Sequence, residues 1–172
     1  METFQDPDTG LYNEVFYTAS VPTRVAAAKR ALRPLSVVVL AVAGKRATEV
    51  AEALRHTLRE ADLACHLEHG RFGVLLEETP IEGAVRMVER LGAALHASAG
   101  NVQLWAGIAA YPVDALDARS LLDGADAALR EAIASGHSKT QLASEVTTAE
   151  APVEQRMVRF PPPPVVADGG AK

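Results

Sequence analysis

The sequence predicts an α/β (α+β) domain, and three observations predict it. Leu63, Cys65 and Leu67 alternate with Ala64, His66 and Glu68, the period of a half-buried strand. Phe72 to Leu76 is a second apolar run of strand length, and the polar connection Glu68-His69-Gly70-Arg71 makes the pair a β-hairpin. Leu35 to Ala43 is an almost continuous, valine-rich run that reads as a central strand buried on both faces. Between these strands lie stretches with one apolar stripe each, the pattern of helices that cover a sheet.

Length and composition bound the rest. A chain of 172 residues with 48% hydrophobic residues suits one globular domain with a single core. A net charge of −5 supplies no global basic field for nucleic acid, although a local arginine cluster can still hold one small anion. Cys65 is the sole cysteine, so no internal disulfide can form, and a reducing compartment fits. The N-terminus lacks the basic-then-apolar order of a signal peptide, and no apolar run reaches membrane-span length. A cytoplasmic protein without membrane or nucleic-acid partners is expected.

Taken in order, Asp6-Pro7-Asp8-Thr9-Gly10-Leu11-Tyr12-Asn13 is a turn-rich stretch before a helix. Pro22 is expected to break or restart that helix, which then runs to about Arg33. After the Leu35–Ala43 strand, Thr48 is placed to cap a helix reaching about Glu60, with Val50, Ala53, Leu54, Thr57, Leu58 and Ala61 on one face. Past the hairpin, Thr79-Pro80-Ile81-Glu82 reads as a capping box with proline at the first helical position. Ala84, Val85, Val88, Leu91 and Leu95 form the stripe of that helix. Val102 to Tyr111 reads as a core strand that includes Trp105. Asp117 caps a last helix with Leu121, Leu122, Ala125, Leu129 and Ile133 inward and Gly136 as its stop. Lys139 to Ala143 can form a short final strand.

These residues carry a family resemblance. Glu68-His69-Gly70-Arg71-Phe72 occupies the hairpin position for which the GGDEF, or diguanylate cyclase, family is named, with only the phenylalanine kept. Asp6 to Asn13 resembles the family's opening Asp-x-Leu-Thr-Gly-Leu-x-Asn. Ala106-Gly107-Ile108-Ala109 resembles its Ser-x-Gly-Ile-Ala strand, and Ala125-Asp126-Ala127-Ala128-Leu129 its Ala-Asp-x-Ala-Leu run. The resemblance covers roughly Asp6 to Ala143. It implies a GGDEF, nucleotidyl-cyclase palm-like fold, with a central mainly antiparallel sheet flanked by helices.

The same resemblance implies a dismantled synthetic site. The family's metal-binding carboxylates match Ala41 and Gly70, a neighbouring glutamate matches Arg71, and a phosphate-contacting lysine matches Ile133. The segment that holds the base of GTP appears deleted after the first strand. Magnesium needs hard oxygen ligands, and arginine cannot replace them. No catalytic residue, metal ligand or cofactor is therefore expected, and the chain reads as a non-enzyme.

What remains is Arg59-Glu60-Ala61-Asp62, at the place of the family's Arg-x-x-Asp inhibitory-site motif, with Arg90 at the position of a further contacting arginine. Arginine offers a fork to guanine O6 and N7, and aspartate accepts from the N1 and N2 donors. The expected function is that of a cyclic di-GMP receptor that binds through Arg59, Asp62 and Arg90 and signals to a protein partner. The alternative is a ligand-independent scaffold. In the family the ligand often joins two copies, so a homodimer is a further expectation. The bland alternatives stand beside this: Arg59 and Arg90 as solvated helix residues, Asp62 as a helix end.

Other constellations are weaker. Cys65, His66, Glu68 and His69 suggest zinc, but strand alternation puts Cys65 opposite His66 and Glu68. His66 is expected beside the inhibitory-site surface, and Lys45-Arg46 in a solvated loop. The division is a domain over 1–143 and a disordered, proline-rich tail over 144–172, in which the stretch Phe160-Pro161-Pro162-Pro163-Pro164 is a candidate docking motif.

Overall fold

In a computed structural model, residues 3–150 are described. Five strands and five α-helices follow one another: α1 (Glu14–Ala31), β1 (Leu35–Val42), α2 (Ala47–Thr57), β2 (Leu63–His66), β3 (Arg71–Glu77), α3 (Ile81–Ala99), β4 (Leu104–Tyr111), α4 (Ala118–Ala134), β5 (Lys139–Leu142) and α5 (Ala143–Glu150). The strands form one sheet in the order β2-β3-β1-β4-β5. All pairings are antiparallel except β4 with β5, which is parallel. The predicted architecture is the observed one.

Alternation along β1 builds a three-layer molecule. Val38 and Leu40 face one side, where they pack with Val50, Leu54, Met87, Leu91 and Leu95 from α2 and α3. Leu35, Val37 and Val39 face the other, against Tyr17, Val21 and Val25 of α1 and Leu121, Ala125 and Leu129 of α4. Each fully buried leucine contributes about 2 kcal/mol from area removed from water. α4 lies directly on β4 at Gly107, where an added Cβ would stand 2.1 Å from the Ala125 carbonyl oxygen. Only glycine permits that approach.

Several local expectations give way to packing. Pro22 lies inside α1 without ending it. A proline there removes one hydrogen bond, yet Val21 and Val25 on either side are buried against the sheet and keep the helix docked. Thr48 is not a cap: α2 begins at Ala47, follows Arg46 without a side-chain cap bond, and ends at Thr57. The predicted capping box at Thr79 is also absent, because α3 starts at Ile81 after Pro80 and no side chain caps it. Asp117 does cap α4, accepting from the Ser120 amide at 2.9 Å. Ile133, expected inward, is 45% exposed. The fold also continues past Ala143, since α5 follows β5 directly and Val146 is buried. The stretch around Phe160 to Pro164 lies outside the described residues.

Candidate functional site

The loop between α2 and β2 carries Arg59 and Asp62 and is folded by its own polar groups. The Asp62 amide donates to the Arg59 carbonyl at 3.0 Å, and Asp62 Oδ2 accepts from the Arg59 amide at 3.0 Å. The Asp62 carboxylate is thereby drawn inward, 3% exposed, while the Arg59 side chain stays 62% exposed. Asp62 Oδ1 has no hydrogen-bond partner. Arg59 Nε points to Asp62 Oδ2 at 3.4 Å, and its Nη2 donates to the Glu77 carbonyl at 3.0 Å and to Thr79 Oγ1 at 2.7 Å.

α3 supplies the opposite wall. Arg86 and Arg90 are one helical turn apart on its exposed face, and no carboxylate among the described residues pairs with either. Arg59, Asp62, Thr79, Gly83, Arg86 and Arg90 line one groove of about 290 Å³. The three residues singled out in the sequence thus converge. Arg86 was missed, although its four-residue spacing from Arg90 was a readable signal. Three guanidinium groups around one partly satisfied carboxylate suit a ligand with both anionic oxygens and N–H donors. The loop is also tied to α1, where Arg24 Nη1 donates to the Ala61 carbonyl at 3.2 Å and pairs with Glu77 Oε1.

The turn end of the hairpin has the opposite character. Ala41 is directly paired with Arg71 across β1 and β3. The Arg71 guanidinium reaches Asp126 Oδ1 at 3.2 Å, Glu14 Oε1 at 3.9 Å and the Glu68 carbonyl at 3.3 Å. Glu14 Oε2 accepts from the Glu68 amide at 2.8 Å, so the turn is bound to α1. Burial raises the Asp126 carboxyl above its ordinary value, opposed by Arg71 and Arg130. A guanidinium stands among the carboxylates, and Ala41 and Gly70 bring no side-chain oxygen.

Beside the turn itself, a cavity of about 660 Å³ is lined by Lys45, Arg46, His66, His69, Gly70 and Phe72 among others. His66 therefore belongs here and not, as expected, beside the groove. It stacks on Phe72 and lies 3.0 Å from Asp6 Oδ2. Burial pushes the Asp6 carboxyl up, but hydrogen bonds from the Thr9 hydroxyl and amide and the nearby His66 outweigh it, so the group is held below its usual range. Lys45-Arg46 lies in an exposed bend before α2, as expected, with Arg46 paired to Glu49 at 3.0 Å. Cys65 is fully buried, burial pushes its thiol up to about 12, and the alternation of β2 turns it away from His66. That arrangement does not bring Cys65 and the histidines to one metal.

Comparisons with known proteins agree with this architecture. The family model described as diguanylate cyclase, GGDEF domain, matches residues 45–139. No curated protein matches the sequence. Among solved structures, the GGDEF domain of TpbB (YfiN) from Pseudomonas aeruginosa aligns with a TM-score of 0.76 and 25% identity, over 88% of this chain and 99% of that one. The GGDEF domain of DgcB from Caulobacter crescentus, in complex with c-di-GMP, aligns with a TM-score of 0.73 and 16% identity, over 83% and 94%. Diguanylate cyclase SiaD from Pseudomonas aeruginosa, in complex with its activator SiaC, gives 0.73 and 24%, over 81% of this chain and 62% of that one.

Proposed function

The chain belongs to the diguanylate cyclase GGDEF domain family, and from that membership we propose that it is a non-catalytic receptor for cyclic di-GMP. The observation that carries the reading is the convergence of Arg59, Asp62 and Arg90 on one groove. Arg59 presents donors to guanine O6 and N7 or to a phosphate. Asp62, whose Oδ1 is buried without a partner, accepts from the guanine N1 and N2 hydrogens once its carboxylate turns toward the groove. Arg90, with Arg86 beside it, neutralises phosphate.

The non-catalytic half of the reading rests on the turn. Phosphoryl transfer between two nucleoside triphosphates needs metal to screen charge and activate the attacking hydroxyl. The Arg71–Asp126–Glu14 cluster holds a permanent cation at that end of the hairpin, with no free carboxylate pair beside it. The output is then regulatory: occupancy of the groove alters how the domain engages a protein partner. That one relative is solved with an activator protein supports a protein partner for this fold. A ligand-joined pair of chains is one form that engagement can take.

Calorimetric titration with cyclic di-GMP tests the reading, using the full chain and the Arg59→Ala and Asp62→Ala variants, alongside an assay for GTP conversion. Saturable binding that both substitutions weaken, with no turnover, is the expected result. Absence of binding at physiological ligand concentrations, or formation of cyclic di-GMP from GTP, overturns it. Pull-downs with and without ligand separate a receptor from a scaffold, since a scaffold captures its partner regardless of ligand.

A further inference from the structure

We propose that Thr79 is a positioning residue of the groove: its hydroxyl fixes the Arg59 guanidinium with two N–H groups left for a ligand. The inference rests on the reading of the groove as a cyclic di-GMP site. It concerns a residue whose sequence context predicts a helix cap, a role the structure does not give it.

Thr79 Oγ1 accepts from Arg59 Nη2 at 2.7 Å and donates to the Glu77 carbonyl at 2.7 Å. The same carbonyl accepts from Arg59 Nη2 at 3.0 Å, so the three groups close a ring of hydrogen bonds. A guanidinium has five N–H donors. Two on Nη2 are used in the ring, and the one on Nε is directed at Asp62 Oδ2. Both hydrogens of Nη1 have no partner among the described residues. Each can donate to one acceptor, guanine O6 or N7 or a phosphate oxygen.

The hydroxyl is itself immobilised. Thr79 is 8% exposed, and its carbonyl accepts from the hydroxyl of fully buried Ser36 at 2.7 Å. Its methyl occupies the space over Gly83, where a Cβ would stand 2.7 Å from Thr79 Cγ2. Glu77 is anchored in turn by its ion pair with Arg24 of α1. An arginine at this exposure otherwise loses substantial rotamer freedom on binding. Fixing it beforehand removes that loss and improves affinity without adding a contact.

The test compares Thr79→Val, which keeps the shape and removes the hydroxyl, with Thr79→Ser, which keeps the hydroxyl. Calorimetry with cyclic di-GMP should show about tenfold weaker binding for Thr79→Val and wild-type affinity within about twofold for Thr79→Ser. Equal affinity for wild type and Thr79→Val, or equal loss in both variants, overturns the proposal. A ligand-free readout separates this from failure of the receptor reading. Side-chain guanidinium NMR should show restricted rotation of Arg59 in wild type and Thr79→Ser, and averaging in Thr79→Val. A freely averaging Arg59 in the wild type overturns the positioning role whether or not cyclic di-GMP binds. Absent binding with a restricted Arg59 sinks the receptor reading alone.

Discussion

The two ends of β3 both present arginine, and they treat it in opposite ways. At the turn, Arg71 is 28% exposed and is spent on Asp126, Glu14 and the Glu68 carbonyl. At the other end, roughly 20 Å along the strand, Arg59 keeps both Nη1 hydrogens without a partner among the described residues, and no carboxylate among them pairs with Arg86 or Arg90. A guanidinium set between two carboxylates of the fold, as Arg71 is, acts as a structural cation. One paired with a single carboxylate and largely exposed, as Arg59 is, keeps charge and N–H donors to offer a new acceptor. The contrast lies in charge pairing: two carboxylates stand beside Arg71 and one beside Arg59.

The largest expected effects fall at the groove. Arg59→Ala and Asp62→Ala should each weaken cyclic di-GMP binding by about 10- to 100-fold, the range for charge-assisted hydrogen bonds. Calorimetry reads this directly, and unchanged affinity in both would erase the distinction between the two ends. Next come Arg86→Ala and Arg90→Ala, for which losses of about 3- to 10-fold are expected, since their exposed charges are screened by salt. Repeating the titrations at raised ionic strength should shrink the difference from wild type. A salt-independent loss would instead point to a packing role.

Arg71→Ala probes the other end and should leave affinity alone. Its expected cost is about 1 kcal/mol of stability at neutral pH by denaturant titration, kept small because the Arg71 and Asp126 side chains are 28% and 38% exposed. The sign with pH is fixed by Asp126, whose carboxyl is raised in the fold chiefly by burial. A raised carboxyl costs nothing while protonated and increasingly destabilises as pH climbs through its folded value. Loss of Arg71 enlarges that penalty, so the variant should be closer to wild type near pH 3 than at pH 7. Equal destabilisation at both would assign Arg71 a packing role.

The smallest effect is expected from Asp6→Asn, outside both ends, at about 0.5–1 kcal/mol near neutral pH. The folded Asp6 carboxyl is lowered by its Thr9 hydrogen bonds and by His66 despite burial. Its contribution is therefore present above its unfolded value and is lost as acid protonates the folded group. Acid unfolding curves of variant and wild type should converge in that range, while ligand affinity stays unchanged throughout.

Much of the fold was readable because the strands declare themselves. The valine run of β1 and the alternation in β2 can be satisfied only by a two-sided and a one-sided burial, and the structure has both. The helix starts at Thr48 and Thr79 differ from expectation for two reasons: Thr48 already lies inside α2, and Thr79 bonds elsewhere. A threonine before a helix has several acceptors and donors in reach, and sequence order cannot tell which is nearest. Thr79 lies 20 residues from Arg59 in sequence, and the hydrogen bond between them is a consequence of chain folding alone. Arg59, Asp62 and Arg90 stand out through the resemblance to the family's Arg-x-x-Asp motif and its further arginine, but Arg86 gains its place from the groove it shares with them.

By itself the amino-acid order determined which segments become strands and helices, because apolar periodicity is a local property that any burial must obey. It also determined that an arginine, not a carboxylate, stands beside the hairpin turn. Only the tertiary structure decided which arginines are neutralised and which stay open. Ion pairing depends on distances of a few ångströms between residues far apart in sequence, and those distances exist only after the sheet has assembled and its helices have docked.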